Sequence, residues 1–332
     1  MWFVVVAVVV AIALGGVGVT LAGNDYRLRQ EALSIPVSGG ALEAVLTLPA
    51  EEPARGLVVV VHGDGPVGAT HDGLYLPWFE AAADAGFATL TWSKPGVGGS
   101  GGDWLDQTMD DRADEVSAAI DWAQRQAAIP NDTIVLWGAS QAGWVLPKAA
   151  VSRDDIDGIV AVGPAINWLR QGRYNLLAEL DHDGATSRER EQAIAVSDQT
   201  RTLLEQDADY DTYRAATDDP DPMDAGRWSF VSLNYTSDAT DDLVAMADKN
   251  VPVLLMLGEH DRNVDVTETA STYQDLLGSD VSVEHFDATH SMARPAVEDS
   301  EALGLITGIL WPRALFADDV LDTYREYLKS LR

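Results

Sequence analysis

Residues 2–23, WFVVVAVVVAIALGGVGVTLAG, contain no charged side chain. As a helix rising about 1.5 Å per residue, such a run covers about 30 Å, the thickness of one bilayer core. No basic residue precedes it, as one would in a cleaved signal peptide. The expectation is therefore an uncleaved single-pass anchor over residues 1–24, with secretion as the alternative if the segment is removed. Arg27 and Arg29 follow the run beside Asp25 and Glu31, too balanced a set to fix the side of the membrane.

Beyond residue 24 the pattern changes to short apolar runs alternating with amphipathic stretches. RLRQEALSIPV and ALEAVLTLP, joined by SGG, predict a β-hairpin. GLVVVVHG (56–63), FATLTW (87–92), TIVLWG (133–138), IDGIVAVG (156–163) and VPVLLMLG (251–258) are unbroken apolar runs, as strands buried on both faces require. VSVEHFD (281–287) reads as a last strand. Helical spacing fills the intervals, with Ala113, Val116, Ile120 and Ala123 on one face of 107–128. Helices are also expected near 76–85 and 266–277, with a long one at the C-terminus. Alternating strands and helices predict a mostly parallel sheet covered on both faces. Residues 166–250 break the rhythm, being polar, Asp-rich and helical in parts. Their Trp168, Tyr174, Trp228 and Tyr235 suit a packed unit. The expected organisation is an α/β core over 25–165 and 251–332, with 166–250 inserted as a cap.

Charge adds one constraint. The formal net charge is −31, Asp outnumbers Glu, and the only lysines are Lys94, Lys148, Lys249 and Lys329. Such a surface repels itself at low ionic strength and resembles that of proteins from salt-loving microbes. With no basic stripe to offset it, nucleic-acid binding is disfavoured. The chain has no cysteine, which removes disulfides, thiolate metal ligands and cysteine nucleophiles.

Two serines compete as nucleophile. GGSGG (98–102) matches the G-x-S-x-G pattern around Ser100, whereas GASQAG (138–143) misses it at Ala142. A serine on an α/β sheet becomes exposed and activated where a strand turns sharply into a helix. TIVLWG leads straight to Ser140 and QAGWVLPKAA follows as a helix, with Pro147 marking a kink. Ser100 is followed only by GGDWLDQ, a loop, and is expected to be a turn residue in a mobile segment. Gly96, Gly98 and Gly101 also fit G-x-G-x-x-G, but no helix opens on the third glycine to seat a pyrophosphate.

A serine nucleophile needs a base and an orienting acid, here expected after later strands. Asp261 follows VPVLLMLG and His290 follows VSVEHFD. Asp265 is the reserve acid. His285 lies within a strand, His260 next to the acid, and His71 and His182 in surface loops. The oxyanion donors are expected to be the backbone N–H groups of Gln141 and Asp64, with Gly65 in reserve. The Asp64 carboxylate should then face away from the developing charge.

HGDGP, WSKPGVGGSGGDW, GASQAGWVLP, GEHDRNV and DATHSM resemble, in order, the oxyanion loop, glycine loop, nucleophile elbow, acid loop and histidine loop of the α/β-hydrolase superfamily. The resemblance covers residues 40–310 and is closest to capped esterases and serine-peptidase-like hydrolases. It implies an α/β-hydrolase fold and hydrolysis of a carboxylic ester or thioester through an acyl-enzyme on Ser140, His290 and Asp261, with no cofactor or metal. The partners would be a small acyl ester and, through residues 1–24, a lipid bilayer. Two alternatives remain open. One is a peptidase or acylaminoacyl hydrolase on the same triad, with Glu179 or Asp181 receiving a free amino terminus. The other is a non-catalytic membrane-anchored binding protein.

Overall fold

The structure, a computed structural model, describes residues 20–37, 40–51, 53–130 and 132–331. The bulk of the expected anchor, residues 1–19, lies outside the described residues. Among the described residues no helix is long and apolar enough to cross a membrane.

Among the described residues eight strands form one sheet: β1 (Leu28–Val37), β2 (Gly40–Pro49), β3 (Gly56–Val61), β4 (Phe87–Trp92), β5 (Ile134–Ala139), β6 (Gly158–Val162), β7 (Val253–Gly258) and β8 (Val281–Phe286). Their order is β1-β2-β4-β3-β5-β6-β7-β8. The β1/β2 hairpin and the β2/β4 pair are antiparallel, and all other pairs are parallel.

The unbroken apolar runs have a simple cause. Successive strand residues point to opposite faces, and both faces here are covered. Leu57, Val59 and Val61 pack with Ile134 and Leu136 on one face, while Val58 and Val60 pack with Val135 and Trp137 on the other. The first face is covered by helices α2 (Met109–Gln124), α3 (Leu146–Ser152), α8 (Thr240–Ala247) and α9 (Val266–Leu277). The second is covered by α1 (Leu76–Asp84) and α12 (Val320–Ser330).

Between β6 and β7 the chain forms α4 (Trp168–His182), α5 (Ser187–Glu205), α6 (Tyr210–Ala216), α7 (Ala225–Asn234) and then α8. Leu203, Leu204, Tyr213, Trp228 and Val231 make a small core of their own, in which Tyr213 and Trp228 stack at 4.1 Å. Trp168, stacked on Trp144 at 5.0 Å, and Phe230 link it to the main body. Helix α8 differs, because Leu243 and Met246 belong to the core under the sheet. The C-terminal region is also divided differently from the single long helix expected. Short α10 (Pro295–Glu298) and α11 (Glu301–Leu310) precede α12; α11 stops before Pro312, which cannot continue its backbone ladder and opens a 3-10 turn over Pro312–Leu315.

Candidate active site

Parallel register brings the chemistry together. Val61 pairs with Gly138, Ala139 with Val162, Val162 with Met256, and Gly258 with Phe286. The carboxyl ends of β3, β5, β6, β7 and β8 therefore lie level, and the loops leaving them meet over one edge of the sheet.

Ser140 is the residue at which β5 turns. Ala139 is still extended, at φ −120° and ψ 147°, and Ser140 has φ 55°. A left-handed conformation is uncommon for a residue with a side chain, and where the surroundings impose it the strain marks functional turns. A 3-10 turn over Ser140–Trp144 follows, and α3 begins only at Leu146 with Pro147 in its first turn. The expected kinked helix is thus a 3-10 segment plus a proline-started helix, where proline needs no N–H partner. Ala142 fits because its own φ is not positive. The demand for glycine falls on its neighbours: a Cβ at Gly138 would lie 2.7 Å from the Ala142 Cβ, and one at Gly143 would lie 2.5 Å from the Ala165 carbonyl oxygen.

Asp261 is buried after β7. Its Oδ1 accepts from the Asn263 and Val264 N–H groups at 2.7 and 2.9 Å, and its Oδ2 lies 2.7 Å from His290 Nδ1. Helix α4 holds this loop from outside. Tyr174 donates to the Asp261 carbonyl oxygen at 2.9 Å, and Gln171 to that of Asn263 at 2.7 Å. Gly163, at φ +49°, clears room for the pair, since a Cβ there would sit 3.1 Å from His290 Nδ1. Ser140 and His290 line one cavity of about 1020 Å³. No hydrogen bond joins them among the described residues, an arrangement common before substrate closes a site.

Behind Ser140 lies a buried polar layer with Lys94 and Arg112 at its centre. Lys94 Nζ donates to the Gly63 carbonyl oxygen at 2.6 Å, and Arg112 to the His62 carbonyl oxygen at 2.5 Å. In a trans peptide the N–H points opposite the C=O, so holding the Gly63 carbonyl turns the Asp64 N–H the other way. Neither the Asp64 nor the Gln141 N–H donates to another described group. Gly65, the reserve donor, follows with φ +89°. The Asp64 carboxylate is neutralised by Arg227 of α7 in two bonds of 2.9 and 2.6 Å, and accepts from Gln141 Nε2 at 3.0 Å. Burial raises the Asp64 carboxyl, but Arg227 outweighs it and the pKa lies below the ordinary value. Burial, assisted by Arg112, pushes the Lys94 ammonium down to about 6 and, with Trp92 opposing, the His62 ring to about 3.

The remaining candidates lie elsewhere. Ser100 is buried: its hydroxyl donates to the Ser93 carbonyl oxygen at 2.7 Å and accepts from the Glu43 N–H at 2.9 Å. It pins the glycine loop to β2, contrary to the mobile turn expected. Asp265 caps α9 through the Thr267 and Glu268 N–H groups. His285 is exposed on β8, and His260 pairs with Asp287 at 2.7 Å. Both border a groove of about 1260 Å³ between β8 and α12, which contains neither Ser140 nor His290. Glu179 pairs with Arg262, Asp181 pairs with Arg190, and neither lines the serine cavity. His71, expected at the surface, is half-buried in the cavity wall, its ring 4.9 Å from Tyr75 and its pKa lowered by burial.

The sheet order and the five loops converging at its carboxyl edge define an α/β hydrolase. Residues 52–293 match the family described as serine aminopeptidase, S33, and the chain belongs to that family. Among solved structures it is similar to an esterase of Pyrococcus furiosus, at 15% identity and TM-score 0.58, with 92% of each chain covered. It is also similar to Est1E from Butyrivibrio proteoclasticus, solved with ferulic acid bound, at 20% identity and TM-score 0.55, covering 90% of this chain and 97% of that one. These likenesses establish the fold. An uncharacterized 31.7 kDa protein of Escherichia coli is 31% identical over 106 residues, 32% of this chain and 36% of that protein. The match thus spans about a third of this relative's length.

Proposed function

We propose that the protein is a serine hydrolase of carboxylic esters that works through an acyl-enzyme on Ser140. The observation that carries this reading is the left-handed Ser140 at the end of β5, in one cavity with a histidine bound to a buried aspartate. In this reading His290 Nε2 takes the Ser140 proton as Oγ attacks the acyl carbon. Asp261 holds the imidazole through Nδ1 and stabilises its cation, while the Gln141 and Asp64 N–H groups receive the oxyanion. The imidazolium then gives its proton to the departing alcohol, and water, deprotonated by the same histidine, releases the acid. The cavity wall includes Tyr75, Trp78, Trp137, Trp144 and Trp168, which suits an apolar acyl or aryl group.

A fluorophosphonate probe followed by peptide mapping tests the assignment. Label is expected on Ser140 alone, and Ser140→Ala should abolish turnover of a short p-nitrophenyl ester. Label on Ser100, or turnover surviving in Ser140→Ala, would overturn the reading. Ser100→Ala is expected to lower stability by about 1–2 kcal/mol through its two lost hydrogen bonds while the folded fraction retains activity.

Amide hydrolysis is the second reading, and Glu298 favours it. Its carboxylate borders the cavity and accepts from Ser291 at 3.0 Å, without a Lys or Arg ion pair among the described residues. It could receive a substrate ammonium group. Aminoacyl anilides assayed beside the esters separate the two readings, and Glu298→Gln should raise KM for a free-amino substrate only if the second holds.

A further inference from the structure

Helix α11 is built with its apolar side outward. The side it turns to the protein is narrow: a Cβ at Gly304 would lie 3.1 Å from the Val297 carbonyl oxygen, and one at Gly308 3.8 Å from a Leu315 methyl group. Leu303, Leu305, Ile306, Ile309 and the following Trp311 are all exposed, by 43% to 66%. Residues 302–311 contain no charge, on a chain of net charge −31. A surface helix in water normally shows the reverse pattern, and a contiguous exposed apolar face marks a binding surface.

What meets this face follows from what stands beside it. The chain emerging from the uncharged run 2–23 is tied once to α11 and twice to Arg313, in the turn that follows it. Asn24 Nδ2 donates to the Ile309 carbonyl oxygen at 2.9 Å, and Arg313 donates to the carbonyl oxygens of Gly23 and Asp25 at 2.6 and 2.9 Å. Gly23 approaches so closely that a Cβ would fall 2.0 Å from the Leu310 carbonyl oxygen. Leu21, two residues before Gly23, is also 68% exposed. If residues 2–23 span a bilayer, residue 23 lies at its surface, and α11 lies at the same depth.

We propose that the outer face of α11 is seated in the interfacial layer of a lipid bilayer, as a second contact beside the N-terminal segment. The proposal rests on the membrane reading of residues 2–23 and is independent of the reaction at Ser140. Gly304 of the same helix lines the Ser140 cavity, so this seating would set one wall of the cavity against the membrane.

The absence of cysteine permits a clean test on the full chain. Ile309→Cys, labelled with an environment-sensitive nitrobenzoxadiazole, is compared with Asp114→Cys on the exposed side of α2, using phosphatidylcholine vesicles at about 1 M NaCl. On vesicle-bound protein, the label at 309 should shift to the blue and lose roughly fivefold in iodide quenching, with no change at 114. Equal quenching at both positions would overturn the proposal. So would shielding of 309 before vesicles are added: loss of that shielding on dilution would show a second copy on the face, and its persistence would show the chain covering α11 itself. None of these readouts depends on turnover, so a failure of the esterase reading would leave the result intact.

Discussion

Lys94 is the residue whose presence most needs a reason. Its side chain is buried, its ammonium has one hydrogen-bond acceptor among the described residues, the Gly63 carbonyl oxygen, and the ring of Trp104 lies 4.9 Å away. A buried cation is costly, and the depression to about 6 expresses that cost. The unfolded chain holds this proton up to about pH 10.4, so between pH 6 and 10 the unfolded state binds more protons and stability rises with pH. What the lysine supplies in return is orientation of the Gly63–Asp64 peptide. Lys94→Met should lower kcat for a short ester roughly 10- to 100-fold with little change in KM. Its thermal midpoint should match or exceed the parent's, with the gain greatest at or below pH 6. A coupled fall in stability and activity would make Lys94 a packing residue instead. Asp261→Asn should cost about 10⁴ in kcat, through the histidine tautomer it leaves.

At the scale of elements, α7 is joined to the loop after β3 through Arg227 and Asp64, 163 residues apart in sequence. In the proposed mechanism, without that guanidinium a carboxylate would stand beside the developing oxyanion. Arg227→Met is therefore expected to reduce kcat about tenfold and to raise the Asp64 pKa, and Asp64→Asn in the same chain should restore most of the rate. Steady-state kinetics of the two single variants and the double variant check the coupling. This pairing also shows where sequence reading stops. The strands were legible because β3, β5, β6 and β7 each bury both faces, and a two-faced apolar run is local information. The turn at Ser140 and the positions of Asp261 and His290 beyond strand ends were legible for the same reason. Lys94 on Gly63, Arg112 on His62 and Arg227 on Asp64 were not, because each joins a side chain to a loop 31 to 163 residues away. Ser100 was expected in a mobile turn because its burial depends on packing against β2, which the local sequence does not show. Within residues 166–250, expected as one inserted cap, Leu243 and Met246 of α8 pack into the main core, a long-range contact the local pattern does not show.

For the molecule as a whole, charge is the dominant long-range term. A net charge of −31 over 332 residues means that folding brings together far more like charges than its cations can pair. The ion pairs that do form are mostly at the surface, as with Lys148 to Asp110 and Asp242, or Arg153 to Asp121 and Asp155, and such pairs contribute little individually. Salt screens the net repulsion and these attractions alike, so the sign of the salt effect reports which is larger. With so many unpaired carboxylates, repulsion should dominate. The thermal midpoint is then expected to rise by about 5–10 °C as NaCl goes from roughly 0.01 to 1 M, where the Debye length shrinks from about 30 to 3 Å. Potassium and sodium chloride should act alike if the effect is screening. Lowering the pH from 7 towards 5 at low salt tests the same balance without added ions. Protonation of carboxylates crowded by their neighbours should recover part of the stability, before the pairs that hold Asp64 and Asp155 below their ordinary pKa begin to fail at still lower pH. A midpoint that falls with salt, or is flat across this range, would mean that local ion pairs outweigh the net charge.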